Sequence, residues 1–336
     1  MYNYPSVNYI GNKSKISSWI ADNIPKECSV IVDMFSGGSS VSYELKKRNY
    51  TIISNDILYS NYVLSKALIE NNSTKLFIAD IENINIDKKD VHKKYQDIRF
   101  LTNLLYYDFE VKELAQLLLI SEHLSDNKKY IFLSLLRRAM IRKIPYSRMN
   151  IKWNEIVKLR DEKYSYEKYG RYRSYHNQTF LHHIKHYLNE YNNAIFSNNK
   201  HNVVYQKDCL DLAHDLSSNI DLIYLDPPYP STMNNYNAFY GYFDIINNKN
   251  LPLKTDLTSK KTFLINLEKI IKIISKKTKY LMISVNNKTN PSSEDICKML
   301  EKYTKNISIK TKNHVYKLTG KENKHNNYEI LILAHF

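Results

Sequence analysis

A carboxylate, two prolines and an aromatic ring follow one another as Asp226, Pro227, Pro228 and Tyr229. Residues 222–225 before them are apolar strand formers, and the prolines end the strand because they lack a backbone N–H. A residue before proline stays extended, so Asp226 is predicted at the carboxyl end of a strand, where open α/β sheets bind ligands. The carboxylate and the Pro227 carbonyl can accept hydrogen bonds from an exocyclic amino group while Tyr229 stacks on its ring. The alternative is a Pro-Pro turn that only ends a buried strand.

A glycine turn follows an earlier strand, which is predicted at residues 30–33. The turn leads to a helix predicted for residues 39–47, and a strand–loop–helix unit of this kind lets the backbone approach a ligand closely. Because the whole chain has only six glycines, the pair Gly37 and Gly38 in this turn is informative. The residues predicted here to bind a cofactor are Asp33, Phe35, Ser36 and Gly37.

Two more predicted strands end in an acid. Asp56 ends the strand at residues 50–57 and lies about twenty residues beyond the glycine turn, the spacing at which an acid reaches the ribose hydroxyls of a nucleotide. It could instead cap a helix that begins near Tyr59. Asp208 follows a strand predicted to start at Val203, and its alternative is a turn-forming aspartate.

Near the start of the chain, Tyr9, Gly11 and Lys13 precede an amphipathic helix predicted from Ser14. Gly11 permits a tight backbone turn, and Lys13 places a cation near the beginning of the helix. The ring, the glycine and the cation are candidate cofactor-binding residues. A surface turn with a solvated lysine is the alternative.

The chain is strongly basic for an otherwise ordinary composition. It has 336 residues, of which 43% are hydrophobic and 25% charged, fractions typical of a soluble globular protein with one large or two smaller domains. Its formal net charge of +15 favours a polyanionic partner such as nucleic acid. A genome rich in Lys, Asn, Ile and Tyr codons would also raise the lysine content without selection for binding.

The cysteines Cys28, Cys209 and Cys297 are odd in number, far apart and without the spacing of metal ligands. They predict neither a metal site nor a disulfide framework, and a reducing cytoplasm is the expected compartment. The first residues lack the apolar core of a signal peptide, and no apolar run is long enough to span a membrane.

The alternation of strands and helices disappears between residues 81 and 178. Residues 101–119 and 131–141 are predicted helices, and residues 137–176 hold 12 Lys or Arg against 4 Asp or Glu, with six tyrosines interleaved. Basic residues with aromatic rings can bind phosphates and stack on bases, although a solvated basic face is the alternative. The residues predicted to bind DNA are Arg138, Arg142, Lys143, Tyr146, Arg148, Asn150 and Lys152.

The rest of the chain returns to an α/β pattern. A polar and aromatic segment, residues 231–243, is predicted to be a loop over the Asp226 site. Outside this segment, helices are predicted at 179–196, 260–275 and 293–303. Strands are predicted at 280–285, 307–316 and 328–334, and a turn through Gly320 joins the last two.

Four groups of residues occur in a fixed order: Tyr9 to Lys13, Asp33 to Ser39, Asp56, and Asp226 to Tyr229. Together they resemble the D12-type, alpha-ordered class of DNA adenine N6-methyltransferases, which occur in restriction–modification systems and as stand-alone adenine methylases. The resemblance covers about two thirds of the chain, and the basic insert diverges. Ser39 stands where that class usually has the last glycine of its cofactor loop.

The resemblance implies a doubly wound, mostly parallel, seven-stranded Rossmann-like α/β sheet with a helical insert. Residues 1–80 and 179–336 would form the catalytic domain that binds S-adenosyl-L-methionine, and residues 81–178 the target-recognition insert that binds double-stranded DNA. The enzyme would lie in the bacterial cytoplasm, at the nucleoid. A cognate restriction endonuclease is a further partner that such systems can include, and the oligomeric state is left open.

The resemblance also implies roles for single residues. Those that would hold the cofactor, from its methionine end to its adenine, are Tyr9, Gly11 and Lys13, then Asp56, then Asp208. Asp226 would contact both the cofactor and the substrate. Together with the Pro227 carbonyl it would hold the N6 of a flipped-out adenine for direct in-line methyl transfer. Tyr229 would stack on the base.

Several alternatives stay open. The same chemistry could act on adenine in RNA or on cytosine N4 in DNA, although cytosine enzymes of this type usually carry Ser where Asp226 stands. A DNA-binding protein without turnover could share the scaffold, but the intact Lys13, Asp56 and Asp226 argue against it. A small-molecule methyltransferase would leave the basic insert unexplained.

Overall fold

The computed structural model describes residues 2–230, 234–313 and 327–336. The chain forms two compact units, which we call the sheet unit and the helical unit. The sheet unit consists of Gly11–Ile57, Asn198–Tyr236 and Leu251–Phe336, and the helical unit of Met1–Ile10, Leu58–Ser197 and Asn237–Asn250. The predicted insert, residues 81–178, lies wholly within the helical unit, which also takes in flanking residues that the prediction assigns to the catalytic domain.

The sheet unit contains a sheet that has seven strands among the described residues. They are β1 (Val30–Asp33), β2 (Thr51–Asn55), β3 (Val203–Tyr205), β4 (Ile220–Leu225), β5 (Thr278–Asn286), β6 (Asn306–Asn313) and β7 (Tyr328–His335). Their order is β3-β2-β1-β4-β5-β7-β6. The first five strands in this order are parallel, and β7 is antiparallel to both β5 and β6. The predicted mostly parallel, seven-stranded α/β sheet is confirmed.

Fourteen α-helices lie in the described part of the chain. They are α1 (Ser17–Asp22), α2 (Ser40–Lys47), α3 (Tyr59–Ser65), α4 (Ile78–Glu82), α5 (Lys88–Ile98), α6 (Asp108–His123), α7 (Asp126–Arg142), α8 (Trp153–Arg160), α9 (Glu162–Tyr169), α10 (Phe180–Ala194), α11 (Cys209–Asp215), α12 (Tyr236–Ile246), α13 (Phe263–Ile274) and α14 (Ser293–Leu300). Short 3₁₀ or π turns occupy Lys66–Glu70, Arg99–Leu101, Pro145–Ser147 and Ser174–His176.

The core of the sheet unit explains why its central strands are apolar. In β4, Leu222 to Leu225 are all buried, as expected of a parallel strand that is covered on both faces. Helix α13 contributes Leu267, Ile270 and Ile274, spaced three and four residues apart so that one face of the helix is apolar. This packing holds the carboxyl ends of the strands in place.

The helical unit is organised around α7, which packs against α3, α6 and α10. An ion triad is buried within it: Glu110 of α6 lies 2.7 Å from the Lys143 ammonium and 2.6 Å from the Arg160 guanidinium, and all three side chains are about 1–2% exposed. One buried carboxylate is therefore shared by two buried cations, in place of water. The triad ties α6 to the end of α7 and to α8.

Three predicted elements differ from the structure. Residues 231–243 are not a loop from Tyr236 onward, because Phe239, Tyr240 and Phe243 are buried at helical spacing on one face of α12. The helix predicted at 101–119 begins only at Asp108, and the one predicted from Ser14 begins at Ser17. The turn predicted at Gly320 and residues 231–233 lie outside the described residues.

Among the described residues, the structure contains no helix with the length and apolar character needed to cross a membrane.

Candidate active site at the carboxyl edge of the sheet

The carboxyl ends of β1, β2 and β4 meet at one edge of the sheet. Strand β1 has β2 on one side and β4 on the other, so the order of the strands reverses next to β1, the position where open α/β sheets bind ligands. The backbone ties this edge together: the Met34 N–H donates to the Tyr224 carbonyl (3.1 Å), and the Ser36 N–H donates to the Asn55 carbonyl (2.8 Å). The acids at the ends of these strands, Asp33, Asp56 and Asp226, are therefore neighbours.

The glycine turn after β1 is held by Asp56. The Gly37 N–H donates to the Asp56 carboxylate at 2.9 Å, so the carboxylate orients the turn. Gly37 has a φ of 50° and Ser39 a φ of 61°. Ser39 thus adopts the left-handed conformation that glycine prefers, which keeps the shape of the turn although the expected last glycine is absent.

Asp33 is buried at the end of β1, with 1% of its surface exposed. One carboxyl oxygen accepts a hydrogen bond from the Ser42 hydroxyl (2.6 Å), and the other has no hydrogen-bond partner within the described structure. Burial raises the pKa of Asp33 to about 7, and the nearby charges of Asp226 and Asp56 add to the rise. The turn is therefore bordered by carboxyl groups that repel one another, an environment that favours a cation.

Asp226 follows β4 directly and is ion-paired with Lys13. The Lys13 ammonium lies 3.0 Å from Asp226 Oδ1 and 3.2 Å from Glu329 Oε1. Burial raises the pKa of Asp226 to about 6; Lys13 lowers it and Glu329 raises it. The Asp226 side chain keeps 18% of its surface exposed, whereas Lys13 and Glu329 are enclosed. Asp226 can thus reach a ligand that the other two cannot.

Pro227 and Pro228 continue the chain from Asp226 towards Tyr229, whose ring is 7% exposed and packs with the core of the sheet unit. Its carbonyl accepts a hydrogen bond from the Asn234 amide (3.1 Å), and its hydroxyl accepts one from the Asn286 amide (3.4 Å). The main chain and the hydroxyl of Tyr229 are therefore both held by hydrogen bonds.

Asp208 caps α11. Its carboxylate accepts hydrogen bonds from the backbone N–H groups of Leu210, Lys254 and Thr255 and from the Thr255 hydroxyl, at 2.7–3.1 Å. Four protein donors occupy the two oxygens, so the geometry supports a structural role rather than the predicted contact with the cofactor's adenine. We leave Asp208 out of the proposed site.

The residues of the first motif belong to different units. Tyr9 lies in the helical unit, where its ring stacks on Tyr240 with 5.2 Å between centroids and lies 5.8 Å from the Arg137 guanidinium. Gly11 and Lys13 lie in the sheet unit. Gly11 has a φ of 82°, and a side chain there would meet the Tyr236 hydroxyl at 2.8 Å, so both its backbone and its surroundings require glycine.

Two residues predicted to bind DNA are buried instead. Lys143 is 1% exposed and pairs with Glu110 and the Gln178 carbonyl, and burial lowers its pKa. Arg138 is 3% exposed and stacks on the Tyr187 ring at 3.6 Å. This burial argues against direct contact of either side chain with DNA. Local charge density in the sequence does not distinguish a cation paired in the core from one on the surface.

The other predicted DNA-binding residues are reachable from solvent. Tyr146, Asn150 and Lys152 are exposed, and Arg142 and Arg148 are half-buried. Arg142 stacks on the Tyr175 ring at 3.8 Å, and Arg148 lies 5.9 Å from the Tyr146 ring.

A cavity of about 360 Å³ opens beside these residues in the helical unit; its lining includes Tyr146, Lys152, Lys158, Tyr164, Lys168 and Tyr169. Lys158 and Lys168 lie 4.8 and 5.5 Å from the Tyr164 ring. Together with Lys152 they give the cavity three ammonium groups. The prediction from the sequence included neither Lys158 nor Lys168, although the basic run and the interleaved tyrosines were a signal for both.

A model of the D12 class of N6 adenine-specific DNA methyltransferases matches residues 9–318. The chain belongs to this family. It is 42% identical over 337 residues to the type II methyltransferase M2.HphI of Haemophilus parahaemolyticus, a match that covers 98% of both chains. It is 24% identical to the modification methylase StsI of Streptococcus sanguinis, over 98% of this chain and 51% of the relative. A shorter match, 38% over 90 residues, joins it to the type II methyltransferase M.FokI of Planomicrobium okeanokoites, over 26% of this chain and 13% of the relative.

Family membership establishes the activity of the protein. The protein is a site-specific DNA methyltransferase that uses S-adenosyl-L-methionine to methylate N6 of adenine. The repelling carboxyl groups of Asp33, Asp56 and Asp226 suit that cofactor, because its sulfonium and ammonium groups are cations.

Proposed function

We propose that this family member methylates adenine in duplex DNA at the edge formed by Asp33, Asp56 and Asp226. The observation that supports it most is the position of Asp226: it follows β4, next to the reversal of strand order, and keeps an accessible surface beside a buried ammonium group. Phe35, Ser36 and Gly37 of the turn would border the cofactor, and Asp56 would accept hydrogen bonds from its ribose. When bound, the cofactor supplies a methyl group carried on a cationic sulfur.

Asp226 and the Pro227 carbonyl would act together on the target amino group. Each accepts one hydrogen bond from the N6 hydrogens, which draws the nitrogen towards a tetrahedral geometry and develops its lone pair. Asp226 must be ionised for this purpose, and its pKa of about 6 leaves it ionised near neutral pH. Direct in-line transfer then needs no covalent bond to the protein. In the described structure, burial raises the pKa values of the Cys28 and Cys209 thiols, which leaves these thiols as poor nucleophiles.

The target nitrogen lies inside the double helix, so we propose that the base is flipped out at a cost of a few kcal/mol. Tyr229 is the ring that would stack on it. Because the hydroxyl and the carbonyl of Tyr229 are already held by Asn286 and Asn234, stacking would need little ordering of the side chain.

We propose that the helical unit holds the DNA through Arg142, Arg148 and the exposed residues around Tyr146. The cavity with Lys152, Lys158 and Lys168 would receive a phosphate and its sugar, since ammonium groups neutralise phosphates and tyrosine rings pack against the sugar or base.

Two of the three relatives are named type II methyltransferases, and the third is named a modification methylase. We propose that this protein, too, protects DNA in a restriction–modification system, beside a cognate endonuclease, in the cytoplasm at the nucleoid.

The decisive experiment compares Asp226→Ala with a matched control, Asp215→Ala, which removes an exposed carboxylate of the same unit. Methyl transfer is measured from labelled cofactor to DNA, to RNA of the same sequence and to DNA without adenine. We expect the unchanged protein to methylate only DNA that contains adenine. Asp226→Ala should lose methyl transfer, while its affinity for the cofactor falls less than its activity. Asp215→Ala should have normal activity. Near-normal turnover of Asp226→Ala would refute the assignment, and transfer to the other substrates would favour RNA adenine or cytosine N4.

A further inference from the structure

Glu329 is a fully buried carboxylate at the start of β7, and no motif of the sequence includes it. Its surface is 0% exposed. The Ser284 hydroxyl of β5 donates a hydrogen bond to Glu329 Oε1 at 2.5 Å, and the Lys13 ammonium lies 3.2 Å from the same oxygen. A carboxylate is enclosed at such a position only when partners compensate its charge.

One ammonium group therefore serves two carboxylates. Lys13 lies at nearly equal distances from Asp226 (3.0 Å) and Glu329 (3.2 Å). Within the described part of the chain, Lys13 and Glu329 act on the Asp226 carboxyl group, whose charge in turn acts on Asp33 and on the Tyr224 hydroxyl. When both carboxylates are ionised, the group formed by Lys13, Asp226 and Glu329 carries one net negative charge next to the accessible face of Asp226.

We propose that Glu329 is a positioning residue for methyl transfer: it holds Lys13 between two carboxylates, so that Asp226 stays available to the target amino group. The inference rests on the role proposed above for Asp226. Without Glu329, Lys13 would pair with Asp226 alone and compete with the substrate for its oxygens.

The charge of the group matters for a second reason. As its lone pair forms the new bond to the methyl carbon and the bond from that carbon to the cofactor's sulfur breaks, the target nitrogen gains positive charge and its hydrogens become stronger donors. One of these hydrogens then leaves as a proton to water, which restores a neutral amine. A group with one net negative charge stabilises that change, whereas an isolated Lys13–Asp226 pair is neutral. Glu329 therefore favours the transition state over the bound substrate, and its loss should lower kcat more than it raises KM.

The sign of the pH effect is set by the same contacts. Glu329 raises the pKa of Asp226 and Lys13 lowers it, so removing the Glu329 charge must lower the Asp226 pKa from its value of about 6. The acidic limb of the kcat/KM profile, which reports the free enzyme, should then move to lower pH. A residue that only supports the fold would not shift this limb.

The test uses Glu329→Gln, which keeps the shape of the side chain, with Glu301→Gln as a control because Glu301 is an exposed carboxylate of the same unit. Methyl transfer to DNA is measured from about pH 5 to 9, together with the melting temperature. For Glu329→Gln we expect kcat at alkaline pH to fall by about tenfold or more and the KM for DNA to change little. The acidic limb of the kcat/KM profile should move to lower pH. Glu301→Gln should match the unchanged protein.

Ser284→Ala is a second variant that keeps both charges and removes the hydroxyl that donates to Glu329. We expect a smaller fall in kcat at unchanged KM, and this variant decides the question if Glu329→Gln does not fold. The inference is overturned if a folded Glu329→Gln has an unchanged kcat and an unchanged acidic limb. If Glu329→Gln does not fold, an unchanged kcat in Ser284→Ala overturns it. If Asp226→Ala is active as well, the proposed function fails; if it is inactive, only the role of Glu329 fails.

Discussion

Replacing Asp33 with asparagine should make the protein more stable and its cofactor binding weaker. Burial raises the pKa of Asp33 from 3.8 to about 7, so the folded state binds this proton more tightly than the unfolded state does. Between those two values the folded state carries the extra proton, and the free energy of unfolding therefore decreases as the pH rises. Above both values the ionised carboxylate destabilises the fold.

The size of the effect follows from the same shift. A tenfold change in proton affinity corresponds to about 1.4 kcal/mol, so ionising Asp33 costs the folded state about 4 kcal/mol at alkaline pH. Asparagine avoids this cost and can still accept the hydrogen bond from Ser42. Its amide group takes the place of an oxygen that has no partner in the described structure, and an unsatisfied buried amide costs about 1–3 kcal/mol. The net gain at about pH 8 should be roughly 1–3 kcal/mol.

The assay is denaturant unfolding of Asp33→Asn and the unchanged protein at about pH 5 and pH 8, with and without S-adenosyl-L-methionine. We expect the variant to be more stable at the higher pH and to lose less stability between the two values. It should also gain less from the cofactor, because one negative charge near the proposed site is gone. A variant that is less stable than the unchanged protein at the higher pH, or that keeps the full pH dependence, would refute the reasoning.

Three further predictions concern the helical unit and the first motif. Glu110→Gln leaves two buried cations without their carboxylate and should destabilise the protein by about 3–5 kcal/mol, measured by chemical unfolding. Gly11→Ala forces a side chain into the left-handed region against the Tyr236 hydroxyl and should cost roughly 1–2 kcal/mol, seen as a lower melting temperature. Lys158→Gln and Lys168→Gln should each reduce the slope of log affinity for DNA against log salt concentration by about 0.9. Unchanged slopes would show that the cavity does not bind a DNA phosphate.

The motif residues were predictable because each follows from local rules. Pro227 and Pro228 must end a strand, and Gly37 and Gly38 mark a turn. Parallel strands bring such ends to one edge, so the proximity of Asp33, Asp56 and Asp226 followed once the sheet was predicted. The helix α12 was missed because its polar and aromatic composition suggested a loop, while the buried spacing of its rings is helical.

The basic insert shows the limit of this reasoning. Arg138 and Lys143 have the same residue types and the same local charge as Arg148 and Lys152. Only burial and partners separate the two pairs: Lys143 is neutralised by Glu110, thirty-three residues earlier in the chain. Such a partner is invisible to any local count of charge.

The sequence by itself determined the class of the protein, its sheet and the acids at the ends of its strands, because strand formers, prolines and glycines act over a few residues. Tertiary structure alone decided that Asp208 is a cap, that Lys143 is buried, and that Glu329 shares Lys13 with Asp226 across more than a hundred residues of chain. The physical reason is that the charge state and the availability of a polar group depend on desolvation and on neighbours, and both are fixed by packing between segments that are distant in sequence.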